Sequence, residues 1–221
     1  MDEGIVHEKQ VLHRLASELR PIAHVETEID PMVATLGAMT AGTAIVYQAH
    51  LADEQFAGVA DFLIRVDGVS CFGDFRYEVW DAKLGQSMKP QYAIQLCCYA
   101  DMLAGIGGVL PDHFGVFLAT GEQRRLRSQD YFYYYRVVRD AFLRFQDGVN
   151  ISEAPDPADY RVHGRWTTYA KQLLEAADDL SGVANIRSIQ LKRVRNGGVR
   201  TIQELNTSGP TPHIGTPGGG A

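Results

Sequence analysis

The chain has 221 residues, of which 45% are hydrophobic and 22% charged, and its formal net charge is −6. This length suits one domain of ordinary size with an appendage. No apolar run is long enough to cross a bilayer, and the acidic start lacks the basic and apolar stretches of a signal peptide. We therefore expect a cytoplasmic protein without membrane contact. Three cysteines, two of them adjacent, suit neither a disulfide framework nor a zinc site.

Helical and strand-like patterns alternate along the first 150 residues. Apolar residues at helical spacing predict helices over 4–19 and 31–39. Alternating residues between turn signals then predict three strands, over 44–51, 58–66 and 77–84, which are close enough in sequence to form an antiparallel meander. A helix follows from Pro90 to about Leu103, where several glycines break it. A strand over 113–119 and a long helix over 130–145 complete this part.

Two prolines, Pro155 and Pro157, mark a domain boundary. We divide the chain into a first domain over 1–150, a helical segment over 151–206 and a tail over 207–221. The tail holds three prolines and many glycines with almost nothing to bury. We therefore expect the tail to be disordered.

Positive charge is concentrated in two short stretches, although the chain as a whole is acidic. The first stretch contains Arg124, Arg125 and Arg127, and the second contains Arg187, Lys192, Arg193, Arg195 and Arg200, with Glu204 as the only acid between 182 and 205. Local basic patches on an acidic chain can bind phosphates. Clusters of this size are also common on solvated surfaces, so both interpretations stay open.

Two acids and a lysine lie on consecutive predicted strands. Asp61 lies on one strand, and Asp81 and Lys83 lie two residues apart on the next. Because side chains alternate between the faces of a strand, Asp81 and Lys83 point the same way. If antiparallel pairing places Asp61 beside Asp81, two carboxylates and the Ala82 carbonyl converge on one Mg²⁺ or Mn²⁺, with Lys83 beside the attacking water. An exposed hairpin with surface charges is the alternative.

Polar residues on two helices can complete such a site. Gln95 and Tyr99 are four residues apart and share a helix face, where they can hold a phosphate or a base edge. His7, near the start of the first helix, can complete a metal shell, with Glu8 in support. The alternatives are a solvated Gln95 with a packed Tyr99, and an exposed pair at the helix start.

Four short motifs follow one another in a defined order. They are Gly4-x-x-His7-Glu8, Gly58-Val59-Ala60-Asp61, Asp81-Ala82-Lys83 and Gln95-x-x-x-Tyr99. This order resembles the RecB-like branch of the PD-(D/E)xK nuclease superfamily. The surrounding sequence, including Ile45-Val46-Tyr47-Gln48-Ala49, is similar to a bacterial family of RecB-like nucleases. The resemblance covers residues 4–205, and the combination is far more specific than any single motif.

The resemblance implies a fold and a set of site residues. The fold is a restriction-endonuclease-like α/β core, with a helix, an antiparallel three-strand meander, a helix and a strand, and a small helical appendage. The implied metal ligands are His7, Asp61, Asp81 and the Ala82 carbonyl. The implied catalytic residues are Asp61, Asp81 and Lys83. Gln95 and Tyr99 are implied to lie on the DNA side of the site.

The chain departs from the family pattern in three respects. Family members usually carry cysteines just after this domain that suit an iron–sulfur cluster, whereas residues 156–169 contain none. Because such clusters need thiolate ligands, we expect no cluster. We also expect the chain to lack the segment that precedes the first motif helix in the family and the domain that follows the helical segment.

The stretch 180–205 resembles a helix-hairpin-helix element. In such elements backbone N–H groups at a glycine hairpin bind phosphate without reading the base sequence. Asn185 stands where a glycine is expected. The DNA-binding residues predicted here are Lys192, Arg193, Arg195 and Arg200. A small helical cap packed on the nuclease domain is the alternative.

These observations together predict a metal-dependent DNA nuclease that uses Mg²⁺ or Mn²⁺. Single-stranded or end-containing DNA is the expected substrate, in DNA repair or processing, and a helicase or another repair protein is a second expected partner. The alternative is a non-catalytic nucleic-acid-binding module, or a truncated remnant that docks DNA or a helicase.

Overall fold

The computed structural model describes residues 3–19, 21–150, 152, 155–160 and 162–207. Apart from Thr207, the predicted tail lies outside the described residues. The chain divides into two units, residues 1–148 and 149–221, close to the predicted boundary. No helix in the described ranges is long and apolar enough to span a membrane.

The first unit is an α/β domain built on one mixed sheet of six strands. In their order across the sheet the strands are β1 (Ile22–His24), β2 (Ile45–Ala52), β3 (Ala57–Ser70), β4 (Gly73–Lys83), β5 (His113–Leu118) and β6 (Gln123–Arg127). The meander of β2, β3 and β4 is antiparallel, as predicted. β1 and β5 run parallel to β2 and β4, and β6 runs antiparallel to β5. The α/β class is confirmed, and β1 and β6 are strands that the sequence pattern does not predict.

Four helices flank the sheet: α1 (Glu3–Glu18), α2 (Pro31–Thr40), α3 (Pro90–Gly107) and α4 (Gln129–Asp147). Asp30 caps α2, because its side chain accepts a 3.1 Å hydrogen bond from the Val33 N–H. The predicted end of α3 near Leu103 is wrong. The helix continues to Gly107, and Gly108, with φ of 74°, closes it in the left-handed conformation that favours glycine.

The two faces of the sheet carry separate apolar clusters. On one face, α1 packs Val11 and Leu15 against Phe62, Trp80 and Phe117. On the other face, α3 and α4 contribute to a larger cluster that includes Leu63, Val79, Leu96, Val116 and Phe132. Because side chains alternate along β4, Asp81 and Lys83 lie on the face of Val79, beneath α3.

The second unit consists of short helices joined by turns. Its helices are α5 (Thr167–Ala176), α6 (Ser188–Asn196) and α7 (Ile202–Thr207). The Asp178 side chain accepts a 2.8 Å hydrogen bond from the Gln203 N–H at the start of α7. Asn185 has φ of 61°. Because asparagine tolerates this left-handed conformation better than most residues, it can replace the glycine that the sequence pattern leads us to expect.

Candidate functional site

Asp61 and Asp81 lie opposite each other on adjacent strands. Phe62 pairs with Trp80 in the β3–β4 register, and the two acids are the next residues along the same register. Their carboxyl groups are within hydrogen-bonding distance of each other. Asp61 Oδ2 also accepts a 2.7 Å hydrogen bond from the Ala82 N–H. The structure therefore brings these two predicted ligands together.

The surroundings of the Asp61 carboxyl group disfavour negative charge. The Asp81 side chain is only 3% exposed. Burial, the adjacent Asp81 carboxyl and the charge of Glu8 raise the pKa of Asp61 far above its ordinary value, against the opposing effect of the Ala82 N–H. A cation bound beside Asp61 would lower its pKa, because it would offset the repulsion from the Asp81 carboxyl.

Lys83 is paired with Asp81 and contacts an aromatic ring. Its Nζ atom forms an ion pair with Asp81 Oδ2, and it lies 5.6 Å from the centre of the Tyr92 ring. Burial lowers the pKa of Lys83, but attraction to Asp81 and Asp61 outweighs burial, so the pKa is raised and the ammonium stays charged.

Gln95 and Tyr99 of α3 lie together, as their spacing predicts. Gln95 Nε2 donates a 3.1 Å hydrogen bond to the Tyr99 hydroxyl. The Tyr99 ring packs directly on Gly58, where an added Cβ would lie 2.7 Å from Cε1 of the ring. Burial raises the pKa of Tyr99, the Gln95 hydrogen bond lowers it, and the charge of Asp81 raises it, with a net increase. The hydroxyl is therefore a neutral donor beside the acids.

His7 and Glu8 of α1 make other contacts. His7 Nε2 lies 3.2 Å from the carbonyl oxygen of Phe117, which pairs with Ala82 across β4 and β5. Glu8 Oε1 accepts 2.6 Å hydrogen bonds from the Tyr47 hydroxyl and from Gln48 Nε2. Within the described ranges, no group of three or more His, Cys, Asp or Glu residues is placed to hold a metal ion. The structure therefore assembles the Asp61–Asp81 pair without a third such ligand.

The Asp61–Asp81 pair nevertheless fits a hard divalent cation. Mg²⁺ keeps several waters and commonly takes only one or two carboxylates from the protein, whereas structural zinc sites need about four protein ligands. The pKa of the Asp61 carboxyl is raised, and a bound cation would favour its ionised form. The residues present therefore suit Mg²⁺ or Mn²⁺ better than zinc.

Three residues of the site carry no clear signal in the sequence. Tyr47 and Gln48 bind Glu8, and Gln48 Nε2 also lies 3.4 Å from Asp61 Oδ1. The Tyr92 ring on α3 lies near two lysines: Lys83 of β4, and Lys89, whose Nζ is 5.8 Å from the ring centre. These residue types are common on strands and helices, and only the fold places them beside the acids.

The first basic stretch is largely neutralised. Arg125 Nε donates a 3.0 Å hydrogen bond to the Glu78 carboxylate, which is buried on β4. The other two arginines also pair with acids: Arg124 with Glu122, and Arg127 with Asp130. Arg125 therefore links β6 to a buried acid of β4, whereas the other two ion pairs are exposed.

The second basic stretch is divided between paired and exposed cations. Arg195 forms a 2.9 Å ion pair with Asp179, whose side chain is 12% exposed. Lys192, Arg193 and Arg200 are exposed on α6 and the turn after it. Arg195 is therefore held in an ion pair, whereas the other four cations of this stretch, including Arg187, are exposed to solvent.

The assembled site combines two carboxyl groups with a charged lysine and two polar groups on a helix. Such a set can bind an anionic group and stabilise negative charge that develops on it. Comparison with known proteins yields no family model and no curated protein that matches the chain.

Proposed function

We propose that this chain is a metal-dependent nuclease that hydrolyses phosphodiester bonds in DNA, with single-stranded or end-containing DNA as substrate. The observation that carries the proposal is the meeting of Asp61, Asp81 and Lys83 on two adjacent antiparallel strands. The order α1, β2–β4, α3, β5 matches the order implied for a restriction-endonuclease-like core. We therefore also propose that the first domain is a RecB-like member of the PD-(D/E)xK superfamily.

The acids and the lysine have separate tasks in this proposal. Asp61 and Asp81, with the Ala82 carbonyl, hold the cation. Bound Mg²⁺ or Mn²⁺ supplies Lewis-acid polarisation of the phosphate and lowers the pKa of water. Lys83 keeps its positive charge because the acids raise its pKa. Its ammonium therefore offsets negative charge where the transition state gathers it.

Gln95 and Tyr99 position the substrate strand. The hydrogen bond between them leaves the second amide N–H of Gln95 and the hydroxyl hydrogen of Tyr99 as donors toward a phosphate or a base edge. In the second unit, Lys192, Arg193 and Arg200 are exposed and can neutralise phosphates without reading the base sequence. These groups determine the affinity for DNA, whereas Asp61, Asp81 and Lys83 on β3 and β4 carry out the hydrolysis.

A cleavage assay with one matched pair of variants tests this proposal. End-labelled single- and double-stranded DNA is incubated with the protein and Mn²⁺, Mg²⁺ or EDTA. Wild-type protein should cut with either ion and stop in EDTA. Asp81→Asn should lose cleavage and metal binding, whereas Asp74→Asn, an exposed position on the same strand, should behave as wild type. Protein that binds DNA but cuts none under any condition would instead be the non-catalytic binding module.

A further inference from the structure

Strand β2 reverses the facing of its side chains at Gln48. Val46 and Ala49 belong to the same apolar cluster, although strict alternation places residues three apart on opposite faces. Gln48 has φ of 55°, in the left-handed region that residues with a Cβ atom rarely adopt. Irregularities of this kind re-aim a side chain and are frequent next to active sites.

The irregular residue lies directly across from Asp61. On either side of it, Tyr47 pairs with Phe62 and Ala49 pairs with Ala60, so the same register places Gln48 opposite Asp61. The register of β2 against β3 is therefore the same on both sides of Gln48, while its side chain reaches Asp61 and Glu8.

The amide of Gln48 joins two acids on different elements. Its Nε2 atom lies 2.6 Å from Glu8 Oε1 on α1 and 3.4 Å from Asp61 Oδ1 on β3. The other Asp61 oxygen, Oδ2, is already held by the Ala82 N–H at 2.7 Å. Each oxygen of the Asp61 carboxylate thus has its own donor, and together the two donors fix the plane of the carboxylate.

We propose that Gln48 is a positioning residue that orients the Asp61 carboxylate for a divalent cation and ties it to Glu8 of α1. This inference rests on the proposed function for the presence of the cation. Groups that hydrogen-bond a metal ligand fix its orientation, and their loss typically weakens metal affinity by about 10- to 100-fold. The left-handed backbone at Gln48 directs its amide into the space between the two acids.

Replacement by glycine separates this role from a structural one. Glycine adopts positive φ without strain, so Gln48→Gly relieves the backbone while it removes the amide. Gln48→Asn keeps an amide and tolerates positive φ, but it is one carbon shorter and cannot reach both acids. We expect both variants to melt within a few degrees of wild type and to bind Mn²⁺ about 10- to 100-fold more weakly by isothermal titration calorimetry.

Asn185→Gly is the matched control, because Asn185 also has positive φ but lies in the second unit. It should leave the Mn²⁺ affinity of the protein unchanged. Wild-type Mn²⁺ affinity in both Gln48 variants would overturn the inference, even if one of them melted at a lower temperature. Wild-type protein that binds Mn²⁺ but cuts no DNA would contradict the nuclease function, and the calorimetric comparison would still decide the role of Gln48.

Discussion

The contact between Tyr99 and Gly58 allows one site residue to be displaced without removal of any proposed catalytic group. In Gly58→Ala, the new methyl would lie 2.7 Å from Tyr99 Cε1 and 3.2 Å from the hydroxyl oxygen. Carbon atoms in contact are normally about 3.5–4.0 Å apart. The ring or the strand must therefore move by about 1 Å, which carries the Tyr99 hydroxyl away from its place beside Asp81.

The size of the effect follows from this displacement. Overpacking of a buried site costs about 1–3 kcal/mol, which corresponds to a melting temperature about 2–12 °C lower for a domain of this size. A misplacement of about 1 Å at an active site can cost about 100-fold in rate. We therefore expect cleavage at saturating DNA to fall by about 10- to 100-fold in Gly58→Ala.

Thermal unfolding and single-turnover cleavage measure the two effects, and α3 supplies a matched control. Gly105 is exposed within that helix, and an added Cβ meets no atom within 4 Å. Gly105→Ala should raise stability by about 0.5–1 kcal/mol and leave cleavage unchanged. In a Tyr99→Ala background, Gly58→Ala should cost little because the clash is gone. An equal stability loss in both backgrounds would refute this explanation.

Three further predictions concern pH, packing and charge. In EDTA, the free energy of unfolding should decrease as the pH rises above about 4. The cause is the raised pKa of Asp61, because the folded state keeps a proton that the unfolded state releases. Urea unfolding of Asp61→Asn should show a smaller decrease with pH. Gly115→Ala should cost about 1–3 kcal/mol or more in urea unfolding, since the new Cβ would lie 2.3 Å from the Trp80 ring. Lys192→Ala should reduce the salt dependence of DNA binding by about one unit of slope, measured by fluorescence anisotropy, whereas Arg195→Ala should lower the stability of the second unit.

The meander and its flanking helices could be predicted because their apolar residues alternate or recur at helical spacing. The two edge strands could not. β1 has three residues, too few for an alternating pattern. β6 has the sequence Gln-Arg-Arg-Leu-Arg, in which Leu126 alone is apolar and packs against the core, while Arg125 pairs with the buried Glu78. Pairing between distant residues of this kind leaves no periodic signal.

Glycine gave a misleading signal in α3. The cluster of glycines after Leu103 predicts a break, yet Gly105 and Gly107 lie within the helix. Glycine costs only about 1 kcal/mol inside a helix, and the apolar face around Leu103 is buried against the sheet. Tertiary packing therefore extends the helix to Gly108, where positive φ ends it.

The site was predictable where it depends on strand alternation and hidden where it depends on irregular backbone. Asp61 and Asp81 meet because one register continues along β3 and β4. Gln48 reaches Asp61 because β2 leaves regular strand geometry at that residue. A single glutamine in the sequence does not indicate such an irregularity. His7 Nε2 contacts the Phe117 carbonyl, which spacing along the chain does not reveal, and the role of His7 as a metal ligand stays a prediction.

The most direct test of the proposed function is single-turnover cleavage of end-labelled single-stranded DNA in Mn²⁺ by wild type and Lys83→Ala, at saturating DNA. Lys9→Ala, at an exposed position on α1, is the control. We predict that Lys83→Ala binds DNA with nearly wild-type affinity but cuts it at least about 100-fold more slowly. The variant lacks the positive charge that offsets negative charge in the transition state. Cleavage by Lys83→Ala at the wild-type rate would contradict the proposed role of this site.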